Sequence, residues 1–305
     1  MSEIRLRASI DLGTNTCLLL IAEWNSERKE VVRVIGDYTA IVRLGQGVDR
    51  TKRFSDEAME RTYTCLQSYV EKIRAAKVDP RDVICVATSQ ARDAANSKEF
   101  FEKAEKGLGL QFRIISGEEE ARFTFLGGLL PGMQPERTAV IDIGGGSTEL
   151  ISDRGGVSFD VGSVRFTERY LKSDPVTDVE FWECQAVLDE VIQTRLAWRK
   201  SLAPAAELLG VAGTVTTLAA WHLGLKKFDA TLLDQVRLSR GDVHRCVEEL
   251  KWRTVSERQK LTGVEPGRAD ILLAGALILW RTMELLDFSE CRVSTRGLRF
   301  GVLAG

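Results

Sequence analysis

Histidine is nearly absent from this chain: among 305 residues only His222 and His244 occur. The six cysteines stand at positions 17, 65, 85, 184, 246 and 291, and none forms a CxxC pair. Together these scarcities argue against a His/Cys zinc site. The wide cysteine spacing also argues against a disulfide framework, so a reducing, cytoplasmic setting is expected. Neither sign of charge dominates. Lys and Arg total 42 against 44 Asp and Glu, a net charge of -2, which gives no basic footprint for sequence-specific nucleic-acid binding. A long apolar run is missing too. The segment ILLAGALILW at 271–280, bounded by Asp270 and Arg281, is too short for a bilayer and reads as a buried helix. The opening MSEIRLRASIDLG has no apolar stretch of signal-peptide length, so neither export nor a membrane partner is expected.

What is present is an alternation of strand-like and helix-like segments, which argues for an α/β protein. A strand over 4–11 is followed by a turn and a second strand near 17–24, with 31–35 and 39–43 expected to extend the same sheet. Ser55 to Ala76 has helical spacing, and 83–88 reads as a buried strand. A cycle of the same kind restarts at 138–151. Helical patterns follow near 178–200, 239–251 and 268–286, with a strand at 207–212. The tryptophans and the leucines of 271–286 are expected in the core, and the two histidines read as ordinary helix residues.

SIDLGTNTCLLLI (9–21) and VIDIGGGSTELI (140–151) are versions of one pattern, with Asp11 matching Asp142, Gly13 matching Gly144 and Thr16 matching Ser147. A repeat at this spacing implies two related lobes, expected at 1–124 and 125–305, with the last helix able to return to the first lobe. Facing turns on two lobes would make an interlobe cleft, a usual place for a small ligand.

The segment Asp142-Ile143-Gly144-Gly145-Gly146-Ser147-Thr148-Glu149 offers unshielded backbone amides, two hydroxyls and two carboxylates. That set suits a phosphate and a magnesium ion. A Gly-rich hairpin turn capped by its Asp is the simpler alternative. Gly213-Thr214-Val215-Thr216-Thr217 follows a strand-like LLGVA and would set amides at a helix start, as an anion needs, although threonine capping explains it equally. Ser116 and Glu119 have capping-box spacing. A helix-start role therefore accounts for Glu118 and Glu119, and on spacing alone for Glu120 as well, although Glu120 points about 100° away from Glu119. Arg92 and Arg165 are candidate phosphate clamps, with surface ion pairing as the plainer role.

DLGTNT (11–16), TSQARDA (88–94), ISGEEEAR (115–122), VIDIGGGSTEL (140–150), GSVRFTERY (162–170), GTVTT (213–217), RADILLAGALIL (268–279) and RGLRFGVL (296–303) occur in that order. In this the sequence resembles the exopolyphosphatase and guanosine pentaphosphate phosphohydrolase family. The resemblance implies two actin-like (ribonuclease-H-like, ASKHA superfold) lobes. It implies removal of the terminal phosphate of linear polyphosphate, or of the 5′-phosphate of pppGpp, with Mg²⁺ and room for a monovalent cation. It makes Glu120 the catalytic base and assigns phosphate contacts to Asp11, Asn15, Arg92, Gly144, Gly145, Ser147, Gly213 and Thr214. Metal contacts fall to Asp142 and Glu149. An ATP-dependent kinase of the same superfold and a binding-only polyphosphate or alarmone sensor are the rival functions, and a homodimer is compatible with two lobes. Thr295 and Phe300 stand where the family often has acidic residues, so packing or a rim contact is expected to differ there.

Overall fold

The computed structural model describes residues 4–203 and 206–304. The chain forms two compact units, Met1–Gly127 with Gly297–Gly305, and Gly128–Arg296. The first division falls three residues beyond the expected 124/125 boundary, and the final segment belongs to the first unit.

The first unit is built on β1 (Ile4–Leu12), β2 (Thr16–Asn25), β3 (Glu30–Ile41), β4 (Val83–Ala87) and β5 (Phe112–Ile114), in the order β3-β2-β1-β4-β5. The first three strands are antiparallel, and β4 and β5 run parallel to β1. β3 is one strand rather than the two expected. It stays paired with β2 through register shifts near Ile21 and Glu23, which absorb the interruption that Gly36 and Asp37 make in its apolar pattern. Helices α1 (Asp56–Ala75), α2 (Ser89–Asp93), α3 (Ser97–Leu108) and α4 (Gly117–Gly128) follow. Ser55 accepts the Ala58 amide and starts α1, as a side-chain N-cap does.

Side chains alternate across a strand, and β2 uses both of its faces. Leu19 and Ile21 pack in one cluster with Leu66, Tyr69 and Phe100, while Leu20, Ala22 and Trp24 pack with Phe300 and Leu303. The second layer is the closing helix, Leu298–Ala304. Arg7 Nη1 donates to the Leu303 carbonyl at 2.6 Å, Ser9 Oγ donates to the Arg299 carbonyl at 2.6 Å, and Arg299 forms a two-bond pair with Asp37 at 2.9 and 2.7 Å. Phe300, one of the two departures from the acidic family pattern, is therefore a core side chain. At the other departure, the Thr295 amide donates to Asp234 at 2.7 Å in the second unit.

The second unit holds β6 (Thr138–Ile143), β7 (Thr148–Ser152), β8 (Gly155–Phe159), β9 (Glu207–Val211), β10 (Arg237–Ser239) and β11 (Glu290–Val293), ordered β10-β11-β9-β6-β7-β8. Read from β8, this repeats the first sheet: three antiparallel strands, then two parallel ones, with β10 added at the edge. Both sheets thus have the ribonuclease-H-like order, and the chain has the actin-like α/β fold. The helices are α5 (Ser163–Tyr170), α6 (Asp178–Gln193), α7 (Ala212–His222), α8 (Arg240–Lys251) and α9 (Leu272–Leu285). The pattern expected over 178–200 breaks at Thr194, and a short separate turn of helix covers Leu196–Ser201. Leu272–Leu279 of α9 are buried all round, because α5, α6, α7 and α8 all pack on this helix. Among the described residues no helix is long and apolar enough to cross a membrane.

The tryptophans are not uniformly core. Trp24 is buried, but Trp182 and Trp252 are 55% and 65% exposed. Their rings flank the Lys251 ammonium at 5.1 and 4.8 Å, with Phe181 at 4.6 Å, while Asp178 pairs with it at 2.7 Å. Cation–π contact keeps these indoles at the surface. His244 lies on α8, stacked on Trp280.

Candidate functional site

In both sheets the turn after the first strand is closed the same way. The Gly13 amide donates to the Thr16 carbonyl at 2.8 Å, and the Gly144 amide donates to the Ser147 carbonyl at 3.0 Å. The loop after the fourth strand of each sheet starts beside this turn, since Leu12 pairs with Ala87 in the first unit and Asp142 with Val211 in the second. Thr88–Arg92 and Ala212–Thr216 are therefore structural counterparts. The two segments share too little sequence for the repeat to be visible there.

In the first unit, Asp11 and Asn15 flank the turn and both are buried. The Asn15 carbonyl accepts the Val42 and Arg43 amides, each at 3.0 Å, and the Thr14 carbonyl accepts the Gly45 amide at 2.9 Å. Thr14 Oγ1 lies 3.2 Å from Ser89 Oγ, and Gln90 Nε2 donates to the Leu12 carbonyl at 2.8 Å. The turn is thus fixed to α2, the helix that carries Arg92. Within this fixed turn, Asn15 Nδ2 is buried without a hydrogen-bond partner. A buried amide left so is costly, and an incoming phosphate oxygen would satisfy it.

Arg92 Nη1 donates to the Ile115 carbonyl at 2.7 Å and to Glu120 Oε2 at 3.0 Å. Glu119 and Glu120 are adjacent carboxylates in opposite environments. Glu119 is only half-buried and completes a capping box with Ser116, its oxygen accepting the Ser116 amide and its own amide donating to Ser116 Oγ, both at 3.1 Å. The Ser116 amide, then Arg113, hold its carboxyl below the usual range. Glu120 is 7% exposed. Burial pushes its carboxyl above the usual range against the pull of Arg92 and Thr88. Environments that drive neighbouring carboxyl groups apart mark acid–base chemistry.

In the second unit, α5 gathers the carbonyls of the glycine turn. Ser163 and Val164 amides donate to Gly144 and Gly145, each at 2.9 Å, the Arg165 amide donates to Gly145 at 3.0 Å, and Arg165 Nε donates to Gly146 at 2.7 Å. In a trans peptide the next N–H points opposite to the carbonyl, so the amides of Gly145, Gly146 and Ser147 face away from α5. Successive amides aimed one way form an anion cradle. Gly162 permits this close approach, since a Cβ there would overlap the Gly145 and Gly146 backbone. Arg165, itself buried, thereby shapes the turn.

Asp142 and Glu149 sit directly opposite in the β6–β7 register, so their side chains share one face of the sheet, with Cβ atoms about 5 Å apart. Glu149 is buried, and Ser158 Oγ donates to its Oε1 at 2.7 Å. In the first unit the residue opposite Asp11 is Leu18, so the carboxylate pair belongs to the second unit. Among the described residues no cluster of three or more His, Cys, Asp or Glu could hold a metal. Two carboxylates beside an amide cradle that suits an anion still fit magnesium, which keeps waters and takes its remaining ligands from phosphate oxygens.

α7 begins at Ala212, with Val211 as N-cap and no side-chain cap, so the threonines do not perform the capping alternative. Thr216 Oγ1 instead donates back to the Ala212 carbonyl at 3.0 Å, and Thr214 is buried. Ala212 has φ 67°, an uncommon conformation for a residue with a Cβ. An uncapped helix start leaves amides for an anion. A Cβ on Gly213 would overlap the Arg268 guanidinium. The Arg268 side chain is 12% exposed and pairs with Glu265 at 2.9 Å. Arg268 is a candidate site residue that sequence reasoning missed; only its place in the RADILLAG motif set it apart from other arginines.

The profile of the Ppx/GppA phosphatase family matches residues 21–305. The chain belongs to this family. As a Ppx/GppA protein it is 37% identical over 293 residues to exopolyphosphatase 2 of Mycobacterium tuberculosis, covering 89% of this chain and 88% of that one. A solved exopolyphosphatase-like protein superposes with a TM-score of 0.87 at 34% identity, over 98% of this chain and 97% of that one. An exopolyphosphatase from Cytophaga hutchinsonii superposes with a TM-score of 0.85 at 26% identity, over 98% and 96% of the two chains. Glu120, the glycine turn of the second unit and the Asp142–Glu149 pair all lie within the residues that the family profile matches.

Proposed function

We propose that this protein is an exopolyphosphatase, which hydrolyses the terminal phosphoanhydride bond of linear polyphosphate and releases orthophosphate. The observation that carries the reading is the amide-lined glycine turn beside the opposed Asp142 and Glu149 carboxylates, in a chain whose relatives include named exopolyphosphatases. The 5′-phosphate of pppGpp offers the same linear anhydride chemistry and is the second substrate.

Asp142 and Glu149 would hold Mg²⁺, partly through water. When bound, the ion would neutralise charge on the terminal phosphoryl oxygens. The amides of Gly145, Gly146 and Ser147 and the start of α7 at Gly213 and Thr214 bind phosphate oxygens, the Gly144 amide being taken by the Ser147 carbonyl, and Arg268 adds positive charge at Gly213. Asn15 Nδ2 donates its open hydrogen bond to the chain, with Asp11 beside it in the phosphate-binding first turn. Glu120 takes the proton from a water aligned with the terminal phosphorus. Arg92 fixes the carboxylate of Glu120 and faces the developing charge with its guanidinium. Rate then comes from positioning and electrostatics. A kinase has no need of a buried carboxylate base for water, and a sensor has no need of one at all.

The test is orthophosphate release from long-chain polyphosphate with Mg²⁺ and no acceptor, with pppGpp and ATP alongside. Release from polyphosphate supports the reading. Tight binding without release would replace it with a sensor, and transfer that requires an acceptor would replace it with a kinase.

Gly213→Ala tests the α7 loop. The added methyl is expected to displace the Arg268 guanidinium, the far end of a flexible side chain, rather than backbone. The melting temperature should stay near wild type, while kcat/KM falls about tenfold or more, the worth of one hydrogen bond to a charged group. Unchanged kinetics would remove this loop from the site.

A further inference from the structure

Away from the turns, the first unit has a cavity of about 580 Å³ whose lining includes Tyr38, Arg61, Cys65, Tyr69 and Lys72. Cys65, Tyr69 and Lys72 follow one stripe of α1 at steps of four and three residues. Among the described residues Cys65 is the one cysteine that is not buried. Its neighbour across the helix–sheet interface is Cys17, fully buried on β2 in the cluster on which Cys65 packs. Tyr69 Oη donates to the Cys17 carbonyl at 2.8 Å, fixing α1 one turn beyond Cys65 to the backbone of that same residue. Cys65 thus packs on the cluster that contains Cys17, one helical turn from the tyrosine that bonds to the Cys17 backbone. The cavity thus gives solvent a route to one thiol, with the second buried in the cluster beneath it.

We propose that Cys65 and Cys17 are an oxidation site: a hydroperoxide converts them to a disulfide, and that bond slows turnover. The Cys65 sulfur attacks the peroxide, the O–O bond breaks, and hydroxide leaves to become water, giving Cys65 sulfenic acid. The Cys17 sulfur then displaces the Cys65 hydroxyl as water, its own proton leaving with it, and the S–S bond forms. Sulfur is oxidised by two electrons and the peroxide is reduced by two.

The electrostatics agree with this order of events. The Cys17 thiol, then Tyr69 and the Lys72 ammonium, hold the Cys65 thiol below its usual range, with burial opposing them. Burial, reinforced by Cys65, Asp11 and Cys85, pushes Cys17 well up. Cys65 is therefore the thiolate that meets the oxidant, and Cys17 is the resolving partner. Cys85, Cys184 and Cys291 are each pushed up to about 12 by burial.

Cys17 directly follows Thr16, whose carbonyl closes the first turn, and Asn15 lies one residue further back. Drawing the two sulfurs to the disulfide distance of about 2.05 Å moves the start of β2 toward α1 and displaces Asn15. An ångström-scale displacement of a positioned group costs up to about 10²-fold in rate, so a fall of at least tenfold is expected. The effect on turnover rests on the phosphate-releasing function proposed above; bond formation does not.

The experiment exposes the reduced full-length protein to hydrogen peroxide, blocks remaining thiols, maps the peptides by mass spectrometry and measures orthophosphate release on the same samples before and after dithiothreitol. Expected are a Cys17–Cys65 linked peptide, a loss of release restored by dithiothreitol, and insensitivity in C65S and C65A at undiminished reduced-state activity. A link to Cys85, Cys65 oxidised without a link, or equal sensitivity in the Cys65 variants overturns the proposal. A Cys17–Cys65 link without loss of release overturns its second half. If the reduced wild type releases no phosphate, the proposed function fails and takes the turnover effect with it, while the peptide map still decides the bond.

Discussion

Replacing Glu120 with glutamine is expected to lower phosphate release by about 10²–10⁴-fold, the range for loss of a general base, while the protein stays folded. Glutamine has the shape of glutamate and still offers an oxygen to Arg92 Nη1, which donates to Glu120 at 3.0 Å. Burial raises the Glu120 carboxyl above its usual range, so the folded protein holds its charged form at a cost. In the wild type, stability should fall as pH rises from the ordinary carboxylate range through the raised folded value, because the folded state retains the proton longer than the unfolded state does. Glutamine removes that loss, so E120Q should be at least as stable as wild type above this window. Activity runs the other way. The base must be ionised, and the acid limb of kcat/KM should lie above the ordinary carboxylate range. Polyphosphate hydrolysis across pH and urea denaturation of both proteins give these values. Near-wild-type turnover in E120Q would rule out Glu120 as the base.

Glu149→Gln is the second large effect. A metal ion contributes several kcal/mol of charge stabilisation in the transition state, and each 1.4 kcal/mol is a factor of ten. Loss of one of two carboxylates should therefore lower release by about 10²-fold or more at fixed Mg²⁺ and move the Mg²⁺ requirement upward. Ser158 Oγ, which donates to Glu149 Oε1 at 2.7 Å, can donate equally to the glutamine oxygen, so the β7–β8 packing survives. Asp11→Asn is the informative contrast. Its cross-strand partner is Leu18 rather than a carboxylate, so its Mg²⁺ curve should not shift. A Mg²⁺ titration of the three proteins checks both statements. An unchanged Mg²⁺ curve in E149Q would separate this carboxylate from the ion.

The strand–turn–strand repeats were legible because aspartate and glycine punctuate apolar runs at the same offsets, 11 and 13 in one lobe, 142 and 144 in the other. The opposition of Asp142 and Glu149 follows from a six-residue span between paired positions of a hairpin, and needed the turn geometry to become visible. Other features depend on contacts distant in sequence. Arg268 meets Gly213 only after α9 is in place. Thr88–Arg92 and Ala212–Thr216 share a backbone role without sharing residues. Trp182 and Trp252 look apolar one at a time, yet the buried ammonium of Lys251 holds them outward. Glu120 differs from Glu119 through its burial, under packing that includes Arg92, which lies 28 residues earlier.

The closing helix makes the first unit discontinuous, with the whole of the second unit inserted between Gly127 and Gly297. These two glycines are in such close approach that a Cβ on Gly127 would overlap the Gly297 carbonyl, so the insertion leaves and re-enters its host at one point. During synthesis the N-terminal 127 residues must therefore wait, with Leu20, Ala22 and Trp24 uncovered, until a further 169 residues have been made and Leu298–Ala304 emerges. The inserted unit has no such debt and can complete its own core first. Order of birth and order of completion are reversed in this chain, and the nascent N-terminal sheet is the surface that a chaperone would meet.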